Sequence, residues 1–276
     1  MQQRYETSPH ETKGMDTAQL RANYLIEDLF VDGELHFVYS HYDRMVVGGI
    51  CPTDKALELP VYDTLRSNFF LERREMGIIN IGGKGTITAD GQDYELDKLG
   101  CVYLGRGTKA VSFASADASQ GARLYAFSAP AHREYPNTAY TKEQATPVTL
   151  GEAETANRRT IYKYIHGEGI ASCQVVMGLT VLHAGSVWNT MPAHTHDRRS
   201  EIYLYFDVAE GQGVMHFMGE PQETRHLWIQ NEQAVISPPW SIHAGSGTGA
   251  YSFIWAMAGE NQDFTDMDFI PLSELR

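Results

Sequence analysis

The 276-residue chain contains no run of about eighteen apolar residues, the minimum for a membrane-spanning helix, so none is expected. Its opening, MQQRYETSPHETKG, lacks the apolar core of a secretory signal, and a cytoplasmic protein is the expectation. Cysteine is scarce. Cys51, Cys101 and Cys173 lie far apart and never as C-x-x-C, which excludes a disulfide framework and predicts reduced, buried thiols. Basic residues are outnumbered 22 to 35, giving a net charge of −13, and this excludes nucleic acid and anionic membrane as partners. An anionic small molecule would have to be met by local arginines. The glycine-rich run Gly82-Gly83-Lys84-Gly85 lacks the Lys-Ser or Lys-Thr and following helix of a phosphate loop, and reads as a hairpin turn. Helix signals are also few, with residues 16–28 the best of them.

What is present is a β-rich pattern with enough apolar content, 42%, to fill a core. In the first half, Gly77-Ile78-Ile79-Asn80-Ile81, Thr86-Ile87-Thr88-Ala89 and the residues from Gln92 onward form a hairpin series, continued by Val102-Tyr103-Leu104 and Ala110-Val111-Ser112-Phe113. The second half repeats the style with strands expected at residues 173–179, 213–217, 234–237 and 251–257. Between them, residues 130–160 are polar and proline-punctuated and read as a connector. Two β-barrel domains in tandem follow, residues 1–147 and 148–276. Glu72 and Glu75 in the first have no paired histidines beside them, so packing or subunit contact is its expected role.

The second half carries the chemistry. Pro192-Ala193-His194-Thr195-His196-Asp197-Arg198-Arg199-Ser200-Glu201 is answered by Pro238-Pro239-Trp240-Ser241-Ile242-His243. Side chains two apart on a strand share a face, so His194 and His196 aim at one point. Glu201, at an odd offset, needs a turn at residues 197–200 to return beside them as the opening of a strand, Glu201-Ile202-Tyr203-Leu204-Tyr205-Phe206, that alternates apolar with polar-tipped positions. With His243 this makes three imidazoles and one carboxylate, a borderline-hard ligand set that suits Zn, Fe, Mn or Ni.

The spacing H-x-H-x4-E with P-x4-H resembles the cupin superfamily, and implies a mainly β, jelly-roll fold. Trp188, Val208 and Trp240 stand where the cupin pattern has glycines, a departure that touches the loops and not the ligands. Longer runs narrow the resemblance. They include Tyr39-Ser40-His41-Tyr42-Asp43-Arg44, Phe70-Leu71-Glu72-Arg73-Arg74-Glu75-Met76-Gly77, Asn157-Arg158-Arg159-Thr160-Ile161, Asn189-Thr190-Met191-Pro192, Gly219-Glu220-Pro221-Gln222-Glu223-Thr224-Arg225-His226, Asn231-Glu232-Gln233-Ala234 and Gly259-Glu260-Asn261-Gln262. Across nearly its whole length the chain resembles the 5-keto-4-deoxyuronate isomerases, also called 4-deoxy-L-threo-5-hexosulose-uronate ketol-isomerases. That likeness implies conversion of 5-dehydro-4-deoxy-D-glucuronate to 3-deoxy-D-glycero-2,5-hexodiulosonate in pectin and uronate breakdown. It also implies one Zn2+ per subunit on His194, His196, Glu201 and His243, and a homohexamer.

An aldose–ketose isomerisation needs a base near C2 and a grip on the substrate carboxylate. Glu223, Arg225 and His226 are the expected catalytic residues, since Glu223 and Arg225 would share a strand face. Glu232, Lys163, Tyr251 and a metal-bound hydroxide are further base candidates, and Arg198 and Arg199 further carboxylate clamps. The aromatics Tyr203, Tyr205 and Trp255 are expected to pack the core or wall the pocket. Two other functions remain compatible with the residues: an Fe(II) cupin dioxygenase with the same ligands, and a sugar-binding cupin without turnover.

Overall fold

The structure, a computed structural model, describes residues 1–260, 263 and 265–276; Asn261 and Gln262, which close the last family-like run, lie outside them. It is mostly β. The described strands form two sheets of seven strands and two of four, one of each drawn mainly from each half of the chain, and one sheet of two strands. In the first half, Arg74–Asn80 runs between Leu124–Pro130 and Cys101–Leu104 in the large sheet. In the second, Arg199–Phe206 runs between Ser252–Gly259 and Gln233–Ser237. The small sheet of the second half is built from Trp188–Asn189, Ala244–Gly247, Val214–Glu220 and Glu223–Ile229.

Three apolar clusters account for this arrangement. One, with Ile78, Ile87, Val102 and Phe113, fills the space within the first half. A second, with Tyr203, Tyr205, Val214, Phe253 and Trp255, fills the second half. The third lies between the halves, where Tyr103, Tyr125 and Phe127 of one large sheet meet Ile202, Leu204, Phe206 and Ile254 of the other. Both large sheets are thereby covered on both faces. The strand expected to alternate from Glu201 is consequently buried at every position from Arg199 to Phe206: its odd-numbered residues face the interior of the second half, and its even ones face the first half. Gly77 permits the close approach, because a Cβ there would stand 2.6 Å from Ile165 Cδ1 and 2.7 Å from Met177 Sδ.

Several boundaries differ from expectation for visible reasons. The helix expected over residues 16–28 spans Thr17–Tyr24, capped by Asp16, whose carboxylate accepts from Gln19 N at 2.8 Å. It ends there because Leu25 turns extended to pair, with Ile26, against Val235 and Ala234, so this N-terminal segment completes the large sheet of the second half. The strand expected at residues 173–179 spans Val176–Leu182. The backbone N–H groups of Cys173, Gln174 and Val175 are engaged elsewhere, donating at 2.7, 2.7 and 2.8 Å to the Glu75 carboxylate. The 130–160 connector contains two short strands, Thr138–Tyr140 and Val148–Leu150, each added to the edge of a large sheet.

Glu75 is therefore a clasp. Fully buried on the first half, it accepts those three amides of the second half and the Tyr103 hydroxyl at 2.7 Å. Removing it strands four donors, of which the Val175 amide and the Tyr103 hydroxyl are buried, each such buried donor costing roughly 1–3 kcal/mol. Glu75→Ala is expected to lower unfolding free energy by about 3 kcal/mol or more in urea titrations, while the conservative Glu75→Gln loses less. An unchanged urea midpoint for Glu75→Ala would show that the clasp contributes nothing.

Candidate metal centre and active-site pocket

Four side chains from three elements converge in the second half. His194 sits on the short His194–Thr195 strand, which pairs with Asp268–Phe269. His196 follows it; Glu201 lies near the start of the central Arg199–Phe206 strand; His243 precedes Ala244–Gly247 in the small sheet. All four are buried, and the ring nitrogens of the three histidines lie within 4.8 Å of one another. His194 Nε2 and His243 Nε2 are 2.9 Å apart, and Glu201 Oε2 is 3.2 Å from both His196 Nε2 and His243 Nε2.

The far side of two rings decides what these atoms are. His196 Nδ1 lies 3.0 Å from the Arg199 carbonyl, and His243 Nδ1 3.3 Å from the Ser241 carbonyl and from Ser237 Oγ. A carbonyl can only accept, so each Nδ1 carries the proton and donates, leaving Nε2 with a bare lone pair turned inward. Burial keeps His194 and His243 neutral. It is the main cause that lowers His194 to about 3, with His196 and Arg199 adding to it, and that holds His243 well below the ordinary imidazole value. Inward lone pairs facing each other and a carboxylate at about 3 Å repel unless a cation stands among them. Ligands on a tetrahedral zinc at roughly 2.0–2.1 Å would themselves be about 3.3 Å apart, close to the separations seen. The donor set fits a divalent metal.

His194, His196 and Glu201 of this cluster form the floor of a pocket of about 320 Å³. Tyr203, Phe253, Trp255 and Met257 wall it from the large sheet, and Met191 and Phe269 also line it. Two arginines also line it, Arg159 and Arg199. Arg199 is buried and donates to the carbonyls of Asp263 (2.7 Å) and Asp266 (3.3 Å).

The KduI/IolB family model matches residues 25–272. The chain belongs to the KduI/IolB family. Among its relatives are 4-deoxy-L-threo-5-hexosulose-uronate ketol-isomerases from Kineococcus radiotolerans, 57% identical over the whole of both chains, and from Halalkalibacterium halodurans, 56% identical over the whole of both. Solved structures of like fold include an IolB-like protein from Salmonella typhimurium (TM-score 0.73, 14% identity, 90% of this chain and 97% of that one). Oxalate decarboxylase from Lactobacillus farciminis is another (TM-score 0.62, 12% identity, 91% and 89%). The cupin-like fold is thereby shown.

The other expected site residues of this KduI/IolB member lie elsewhere. Glu223, Arg225 and His226 stand on Glu223–Ile229, the last strand of the small sheet, and none lines the pocket. Glu223 and Arg225 do share a face, but it is turned to the N-terminal segment. Arg225 donates to the carbonyls of Lys13 (2.9 Å) and Met15, Glu223 faces Lys13 at 3.4 Å, and His226 is exposed. In this chain Glu223 and Arg225 hold the segment that leads to the Thr17–Tyr24 helix, and His226 stands outside the pocket. Glu232 pairs with Arg123 at 2.6 Å, and the buried Tyr251 hydroxyl bonds Asn189 at 2.7 Å. Arg198 is held by Asp266 (2.6 Å) and Asp268 (2.9 Å), so with Arg199 it braces the C-terminal segment that carries Phe269. Arg159, Thr180, Thr190 and Phe269 were not anticipated as pocket residues. The signal for Arg159 and Thr180 was strand alternation, which places them on the face that carries Phe253 and Tyr203.

His216 gives this half a pH dependence of its own. Fully buried, its Nδ1 2.7 Å from the Tyr205 hydroxyl, it is lowered by burial to about 3. The unfolded chain takes up that proton near pH 6.5, whereas the native ring stays neutral to about 3. Stability is therefore complete above pH 6.5 and falls as the pH drops below it, by about 1.4 kcal/mol per pH unit for each such ring. Urea unfolding of the metal-free protein between pH 7 and 5 is expected to follow that slope, made shallower by one proton in His216→Asn. An identical slope in the variant would contradict it.

Proposed function

We propose that this protein is a ketol-isomerase that converts 5-dehydro-4-deoxy-D-glucuronate to 3-deoxy-D-glycero-2,5-hexodiulosonate. It would work at a divalent-metal centre held by His194, His196, Glu201 and His243, with zinc, one per subunit, as the resident ion. The observation that carries this reading is the pair of buried imidazoles whose Nδ1 atoms are committed to carbonyls, so that their Nε2 lone pairs meet Glu201 at the floor of an apolar pocket. Likeness at 57% identity along the full chain to ketol-isomerases supports the substrate. The reading further takes residues 1–147 as the packing and assembly half of a cytoplasmic homohexamer and residues 148–276 as the catalytic half. Exposed Tyr5 and Val61 on the first half are apolar surface that an assembly would cover.

A divalent cation bound there supplies a Lewis acid that draws electron density from a carbonyl and steadies negative charge on oxygen. The protein's own groups do the rest. His196 and His243 are held in one tautomer by the Arg199 and Ser241 carbonyls, so their donor atoms stay aimed at the centre. Tyr203, two residues past Glu201 on the same face, is raised well above its ordinary value, mainly by burial, and keeps its proton. Its hydroxyl, 3.2 Å from Thr190 Oγ1, is a neutral donor for the oxygen that carries negative charge while a proton passes from C2 to C1. Phe253, Trp255 and Met257 keep water from that proton transfer and lower the local dielectric. Among the described pocket residues Glu201 is the one carboxylate.

Purified protein given 5-dehydro-4-deoxy-D-glucuronate without oxygen is expected to form the 2,5-diketo acid, followed by NMR. Tyr203→Phe should lower kcat by about a hundredfold with little change in KM. Binding without turnover, or turnover only with oxygen and iron, would overturn the isomerase reading; an unaltered kcat in Tyr203→Phe would remove its assigned role.

A further inference from the structure

Away from the metal cluster and Arg199, the pocket is lined by apolar side chains, the hydroxyls of Thr180, Thr190 and Tyr203, and one further charge, Arg159, which opens the strand Arg159–Ile165. Alternation along the paired strands puts Arg159 and Ile161, then Thr180, then Phe253 and Trp255, then Tyr203 and Glu201 on one continuous face of the large sheet. Arg159 thus lines the same cavity as His194, His196 and Glu201, on a strand three removed from the Glu201 strand in the sheet. It is partly buried, and burial lowers its pKa. Its recorded hydrogen bond is from Nη1 to the Asn157 carbonyl at 2.9 Å, and among the described residues no carboxylate lies within ion-pair distance.

Arg159 makes one such bond, whereas each of the other arginines considered for an acidic ligand makes at least two. Arg198 has Asp266 and Asp268, Arg199 has the carbonyls of Asp263 and Asp266, and Arg225 has those of Lys13 and Met15. A half-desolvated cation left without a counter-charge is costly, and an incoming carboxylate offsets that cost while accepting its remaining N–H groups in a planar fork. The chain is also strongly acidic overall, at −13, so an anion gains nothing from the general surface and must be held by a local cation.

We propose that Arg159 binds the terminal carboxylate of the substrate and sets the preference of the pocket for acidic over neutral sugars. This rests on the isomerase reading of the same site. One end of an open six-carbon chain then meets the metal floor beside Glu201 and Tyr203, and the carboxylate end meets Arg159. Ile161, Phe253 and Trp255 cover the carbons between them, and the Thr180 hydroxyl, already accepting from Trp255 Nε1 at 3.3 Å, fixes the indole wall. Arg159 is a binding residue by this account and takes no part in proton transfer.

The test uses the full-length, zinc-loaded protein and two probes that differ only at C6, D-glucuronate and D-glucose, with affinities measured by titration calorimetry. Wild type is expected to bind the acid at least about tenfold more tightly than the neutral sugar. In Arg159→Met that ratio should collapse toward one, and in Arg159→Lys, which keeps the charge without the fork, it should fall between. In kinetics with 5-dehydro-4-deoxy-D-glucuronate, Arg159→Met should raise KM about ten- to a hundredfold and change kcat far less. A wild type without preference for the acid, or an Arg159→Met variant that retains it, would overturn the proposal. So would equal losses for both sugars, which a merely structural arginine predicts. If wild type prefers the acid through Arg159 but does not turn over the ketouronate, the isomerase reading fails and the assignment of Arg159 stands.

Discussion

The burial of one strand on both faces is the constraint on which the rest of this protein depends. Arg199–Phe206 sits inside the large sheet of the second half, hydrogen-bonded to Ser252–Gly259 on one side and Gln233–Ser237 on the other. Ile202, Leu204 and Phe206 are pressed against the first half, while Glu201, Tyr203 and Tyr205 face the interior of the second. A shift of one residue in register would exchange those two sets, sending the carboxylate into the apolar contact between the halves and an isoleucine to the metal cluster. The first half thus matters to the chemistry without contributing a ligand: its sheet is the surface against which the Glu201 strand is held.

The same register positions the supporting groups. Glu201 is opposite Ser237, whose hydroxyl lies against His243 Nδ1, and two residues before it the Arg199 carbonyl accepts from His196. Arg199 meanwhile sends its guanidinium to the C-terminal segment, where Asp268–Phe269 pairs with the His194 strand. His196 and His243 are therefore each oriented by a backbone or hydroxyl group belonging to an element that also carries, or is tied to, another ligand. Such closure is what holds four polar groups together in a region otherwise filled by aromatic and aliphatic side chains, where any of them left unpaired would be costly.

Much of this was legible in the residue order, and the exceptions have physical causes. His194, His196, Glu201 and His243 could be picked by spacing because side-chain direction follows the period of a strand and a four-residue turn is local chemistry. The β character and most strands were readable for the same reason. What escaped was decided by partners distant in sequence. The helix after Asp16 stops at Tyr24 because Leu25 finds Val235, some two hundred residues on, and the strand before Val176 is delayed because Glu75 takes its amides. Arginines were the least legible. Arg198, Arg199, Arg225 and Arg159 look alike in sequence, and their roles diverge only through which carbonyls and carboxylates the fold brings beside them.

The central claim is that activity resides in a metal held by the three histidines and Glu201. It is tested most directly by measuring metal content and anaerobic isomerisation on one preparation as isolated, after chelation, and after zinc is restored, with His194→Ala alongside. The account predicts about one metal per chain, turnover that disappears with chelation and returns with zinc, and neither full metal content nor activity in the variant. Undiminished turnover by the metal-free protein, or full activity in His194→Ala, would contradict it.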